Sequence, residues 1–165
     1  MTPVPDFSSA RAVLTLLLTL FLASPAWAGD ESPAASTKTQ VKSPKGRQQL
    51  LGEHPLTLQW LTFDKTKPGK ATVTEEDGVL MLQGEQRAPN GDHLIVEGMV
   101  ESVDEKTFVL VGRVVTQVNH INDGKACLRE GRFTFRITGK RRYWRMKEMD
   151  NPCEGVTDYV DVFLR

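Results

Sequence analysis

The segment CLREGRFTFRITGKRRYWRMKEMDNPC, residues 127–153, alternates apolar and polar side chains on both sides of a Gly-Lys pair. Phe133, Phe135 and Ile137 alternate with Arg132, Thr134 and Arg136, the period-two pattern of a strand with one buried face. Gly139 supplies the positive φ that a two-residue type II′ turn takes at its first central position. With Gly139-Lys140 as the loop, Thr138 faces Arg141, Phe135 faces Trp144 and Phe133 faces Met146. Phe133, Phe135, Ile137, Trp144 and Met146 then share one apolar face. Extended outward, this register sets Cys127 opposite Pro152, one step from Cys153, so a Cys127–Cys153 disulfide is expected.

The other face carries Arg132, Arg136, Tyr143, Arg145 and Lys147. In the same register Arg132 opposes Lys147, Tyr143 opposes Arg136 and Arg145 opposes Thr134. Like charges set directly opposite each other destabilise a sheet. Either a ligand or a neighbouring strand must therefore answer them. The first reading makes these five residues an anion-binding surface. The second assigns neutralisation to Asp161 or to a glutamate from the acidic half. That half is distinct: the chain has 21 Lys and Arg against 21 Asp and Glu, but they are segregated. From Asp92 to Glu105 every charged side chain is acidic, whereas Lys125 to Lys147 holds nine cations against Glu130.

Outward from this core, the pattern is strand after strand. Leu56, Leu58 and Trp60 start a strand expected to run to about Phe63. Ala71–Thr74 and Val79–Leu82 flank Asp77-Gly78, a two-residue hairpin signal. Turns at Lys67-Pro68-Gly69, Pro89-Asn90-Gly91, Asp104-Glu105-Lys106 and Asn122-Asp123-Gly124 separate further strands, and Tyr159 to Leu164 is the last. Gly84, Gly98 and Gly112 recur every fourteen residues, each after an apolar triplet. Glycine weakens a strand interior, so this recurrence predicts sharp bending of consecutive strands, or room for a ligand. With a three-residue loop at Asp104–Lys106, Gly98 opposes Gly112. The expected fold is all-β: a single antiparallel up-and-down barrel or strongly coiled sheet of about eight strands, with one disulfide.

Upstream, Arg11, the apolar run Ala12–Ala23 and Ala26-Trp27-Ala28 predict a secretory signal over residues 1–28. The run is about 12 residues, short of the ~20 a membrane-spanning helix needs. Export to periplasm or medium suits two cysteines in one structural bridge. Residues 29–47, polar and rich in Pro, Ser and Thr, are expected to be a disordered linker. Residues 48–165 form the all-β domain.

Motifs for chemistry are sparse. His54, His93 and His120 stand apart, neither triad nor metal-ligand spacing appears, and no cofactor is expected. Asp158 and Asp161 need distances before they mean anything as paired carboxylates. The reading is an exported, non-catalytic binding or accessory protein whose basic face meets an anionic ligand or an acidic protein or envelope surface; nucleic acid is not an expected partner outside the cell. The alternatives are a small barrel that carries an apolar molecule and an enzyme with an unrecognised cleft.

Overall fold

In a computed structural model, residues 38–63 and 65–165 are described; the expected signal and most of the linker lie outside them. The elements are β1 (Gln40–Val41), α1 (Pro44–Leu50), β2 (Gly52–Leu58), α2 (Gln59–Phe63), β3 (Gly69–Glu76), β4 (Val79–Arg87), β5 (His93–Val103), β6 (Thr107–Gln117), β7 (Cys127–Arg136), β8 (Tyr143–Met146) and β9 (Val160–Phe163). Strands β2 to β9 pair antiparallel in sequence order, and β9 returns to β2 through Leu56↔Val162. The result is a closed eight-stranded up-and-down barrel, which leaves no edge among its own strands. No helix among the described residues is long and apolar enough to cross a membrane.

Regular structure reaches further upstream than the linker expectation. Ser43 caps α1 by accepting a hydrogen bond from the Gly46 N–H, with Pro44 at the first helical position. β1 pairs parallel with the end of β5. Beside it the Thr39 hydroxyl donates to the Val100 carbonyl at 2.6 Å and accepts from the Leu80 N–H at 2.8 Å. Those bonds lie where a bulge shifts the β5–β6 register between Val100 and Ser102. The first barrel strand also ends sooner than expected, because Gln59–Phe63 turns into α2 and buries Leu61.

Inward-facing residues fill the barrel. Phe108 stacks on Phe135 at 4.7 Å, and Trp144 meets Phe108 and His54 edge-on, each at 5.7 Å. Leu56, Leu58, Leu80, Leu82, Leu94 and Leu110 are fully buried around them. α1 covers one end with Leu50 and α2 the other with Leu61.

Two registers differ from the sequence reading. Phe135 opposes Met146 and Arg136 opposes Arg145, so the β7–β8 ladder is shifted by two residues. The Gly139-Lys140 turn is present, with the Arg141 N–H on the Thr138 carbonyl. Ile137 extends the β6–β7 ladder through Lys106, and β8 is paired on its other side with β9 through Tyr143↔Phe163 and Trp144↔Val162. A shift of two preserves the alternation of faces, so Phe133, Phe135, Trp144 and Met146 are all buried as expected.

The second difference concerns the glycines. Gly98 opposes Gly112, as the spacing predicts, but the third member of that row is Gly131, not Gly84. A Cβ on Gly112 would lie 2.1 Å from the Glu97 carbonyl oxygen, and one on Gly98 would lie 2.3 Å from that of Val111. The two backbones are therefore too close for any side chain. Gly84 pairs with Ala71, and its added Cβ would meet Leu56 Cδ2 at 2.9 Å, so it makes room for core packing. Gly112→Ala is expected to lower stability by about 2–3 kcal/mol through overpacking against backbone. Gly131→Ala, whose methyl meets nothing within 4 Å, should cost only about 1 kcal/mol of backbone strain. Equal urea midpoints for the two variants would contradict this account of the bend.

Candidate functional site

The five residues of the expected basic face divide according to their neighbours. Arg145 lies over the Tyr159 ring, 4.2 Å from its centre, and 5.3 Å from that of Tyr143. Its Nε and Nη2 donate to the two carboxylate oxygens of Asp161, both at 2.7 Å. That bidentate hydrogen bonding raises the Arg145 pKa above its ordinary value, against a smaller desolvation effect. Arg132 is answered by Glu101 through a pair of 2.6 Å. Thus β9 and the acidic half neutralise two of the five positions, as the second reading of this face holds. Tyr143 packs its ring at 5.1 Å from Phe163. Arg136 and Lys147 are exposed, and neither forms an ion pair among the described residues.

Positive charge collects instead at the α1 end of the barrel. The β5–β6 loop brings Lys106 beside the β7–β8 loop through the Ile137 N–H on the Lys106 carbonyl. Lys140, Arg141 and Arg142 follow in that second loop, and Arg136 closes the strand below it. All five are exposed, and none forms an ion pair among the described residues. Arg141 only approaches the Tyr143 ring, at 5.6 Å. Asp104 and Glu105 share the β5–β6 loop with Lys106, and Glu105 is paired with Lys45 of α1.

Next to these loops, a cleft of about 450 Å³ opens between α1 and the end of the chain, lined by Lys45, Gln48, Gln49, Arg142, Leu164 and Arg165. Arg165 donates to the Leu51 carbonyl at 2.6 Å and to that of Gln48 at 3.4 Å.

A third constellation lies inside the opposite end. Asp158 is fully buried and accepts from Trp60 Nε1 at 3.0 Å, Arg129 Nη2 at 3.0 Å, Asn151 Nδ2 at 3.0 Å and the Thr116 hydroxyl at 3.3 Å. Arg129 also donates to the Glu148 and Asp150 carbonyls. Burial pushes its pKa below the ordinary arginine value, partly offset by Asp158 and Glu148. The disulfide lies at the same end: Cys127 and Cys153 are joined with Cα atoms 5.9 Å apart, and the Cys153 N–H donates to Asn151 Oδ1. These contacts hold residues 147–159 over the barrel mouth.

The sequence reading missed the Arg129–Asp158 pair, although a signal was available. Arg129 shares parity with Cys127 and Phe133, and Asp158 with Val160 and Val162. Each is a charge on an inward-facing position, which calls for a buried partner. The α1-end cleft left no such trace, since its cations come from three distant segments.

The PM1083 family model matches residues 38–164. The chain belongs to the PM1083 family. PM1083 of Pasteurella multocida (strain Pm70) is 41% identical over 126 residues, covering 76% of this chain and 80% of that protein. No solved structure matches. The family match spans the whole barrel, β1 and both helices, and begins at the first described residue.

Proposed function

We propose that this PM1083-family chain is an exported, non-catalytic accessory protein that binds an anionic ligand or acidic partner through the cationic α1 end of its barrel. The observation that carries the reading is the group Lys106, Arg136, Lys140, Arg141 and Arg142, gathered on two adjoining loops and the end of β7, none of them ion-paired among the described residues. Unpaired like charges in contiguous loops raise the local potential and attract anions from solution. Of the face first read from sequence, Arg136 belongs to this group and Tyr143 borders it. Arg132 and Arg145 serve the barrel through Glu101 and Asp161.

The packed aromatic interior weighs against a carrier of an apolar molecule. The buried carboxylate of Asp158, enclosed by four donors, is occupied in holding the mouth segment, which weighs against a hydrolytic role. Export is supported by the leader pattern of residues 1–28 and by the disulfide. Mass spectrometry of the secreted form under non-reducing conditions should find Gly29 at the N-terminus.

Binding is tested by retention on immobilised polyphosphate. Lys106→Glu/Arg136→Glu/Arg141→Glu should cut affinity at least about tenfold and flatten its salt dependence. Arg132→Glu should have the smaller effect, because that charge is already paired. Retention unchanged in the triple variant would overturn the reading.

A further inference from the structure

We infer that the cleft between α1 and the end of β9 is a seat for a phosphate-type dianion, either free or as a monoester. This rests on the cationic end just described and names the chemistry of one site within it. The lining contributes Lys45, Arg142 and Arg165, with the amides of Gln48 and Gln49 and the apolar wall of Leu164, and no acidic side chain. Its volume, about 450 Å³, falls in the range of small-ligand sites, roughly 300–1,000 Å³.

The charges are held in place by the fold. Gly52 has φ +100°, and a Cβ there would come within 2.9 Å of the Arg165 Nη1. The glycine thus opens the slot in which the guanidinium reaches the Leu51 and Gln48 carbonyls. These contacts fix the position of the guanidinium on neutral carbonyl partners. Arg142 is placed beside it because its carbonyl accepts the Leu164 N–H at 2.9 Å. Its side chain is exposed and forms no ion pair among the described residues. Lys45 is held by Glu105 at the rim. Two guanidinium groups offer planar, multiply donating forks, which match the several acceptor oxygens of a tetrahedral anion. A single carboxylate offers fewer acceptor oxygens for donors that arrive from three separate segments.

The test is titration of the mature full chain with inorganic phosphate and, separately, with glycerol phosphate, followed by NMR and calorimetry up to about 10 mM, where even millimolar affinity is visible. The expected result is saturable binding that shifts the amides of Gln48, Gln49, Arg142 and Arg165. Arg142→Ala should weaken it by about tenfold, the equivalent of one charge-assisted hydrogen bond. Gln48→Glu, which adds an anion to the lining, should weaken it likewise. Both side chains are exposed, so unchanged thermal melts will confirm folding. Tighter binding of the ester would identify an esterified phosphate as the occupant, and equal binding the free ion; both support the seat. Absence of saturation, shifts confined to other surfaces, or wild-type affinity in Arg142→Ala would overturn it. If phosphate fails to bind while polyphosphate retention persists and still depends on Arg136 and Arg141, the seat is wrong and the broader reading stands. If both fail, both are wrong.

Discussion

Asp158→Ala is expected to lower the unfolding free energy by about 3–5 kcal/mol, the range for breaking a buried ion pair from one side. The cause is what the variant leaves behind. Arg129, with its side chain only 8% exposed, loses its sole ion-pair partner among the described residues, and its Nε already lacks a hydrogen bond. The Trp60 indole loses its acceptor at the same time, and the Asn151 amide is left with only the longer contact to the Thr116 hydroxyl at 3.4 Å. Arg129→Ala should cost less, because Asp158 would keep three neutral donors. Replacing both residues should recover part of the loss, but not all of it, since the Trp60 indole remains unanswered. Urea unfolding of the two single variants and the double variant, with the disulfide intact, checks the order. A smaller loss in Asp158→Ala than in Arg129→Ala would refute this account of the network.

Removing the bridge through Cys127→Ser/Cys153→Ser is expected to cost about 3–4 kcal/mol, as the chain-entropy model gives for a loop of this length. The two cysteines are 26 residues apart in sequence, and between them run β7, the basic loop and β8. Only the Cys127 side is buried; Cys153 is on an exposed turn. The reduced variant should therefore loosen residues 147–159 before the barrel wall. Hydrogen exchange should report faster opening at Asn151, Gly155 and Asp158, whose N–H groups bond within that segment. The bridge and the Asp158 network restrain the same segment, so their effects should fall short of adding. Uniform acceleration throughout the barrel would show that the bridge acts on global stability alone.

The architecture was largely legible in the chain. The alternation around Phe133 and Phe135 named the buried face, because side chains in a strand alternate strictly. Asp77-Gly78 and the Gly98/Gly112 spacing located a hairpin and a bend, since turn and close approach restrict which residues fit. The hairpin register was not legible. It is set with β8 held between β7 and β9, and β9 lies outside the hairpin in sequence. The end of β2 was missed for a related reason: Gln59–Phe63 has an apolar pattern that suits a strand, but α2 is kept by the Leu61 contact with the barrel.

The candidate site was legible only as charge. Composition placed nine cations between Lys125 and Lys147, and that count is independent of how the strands pair. Which of them stay unpaired is a matter of distance. Asp161 reaches Arg145 because β8 and β9 are neighbours, and Glu101 reaches Arg132 across β6. Lys45, Arg142 and Arg165 meet only because the barrel closes β9 onto β2 and lays α1 over its mouth. Local pattern thus determined which residues face inward, where the chain turns and how much charge each half carries. Closure of the barrel decided register, ion pairing and the cleft, since each joins residues that no short-range preference relates.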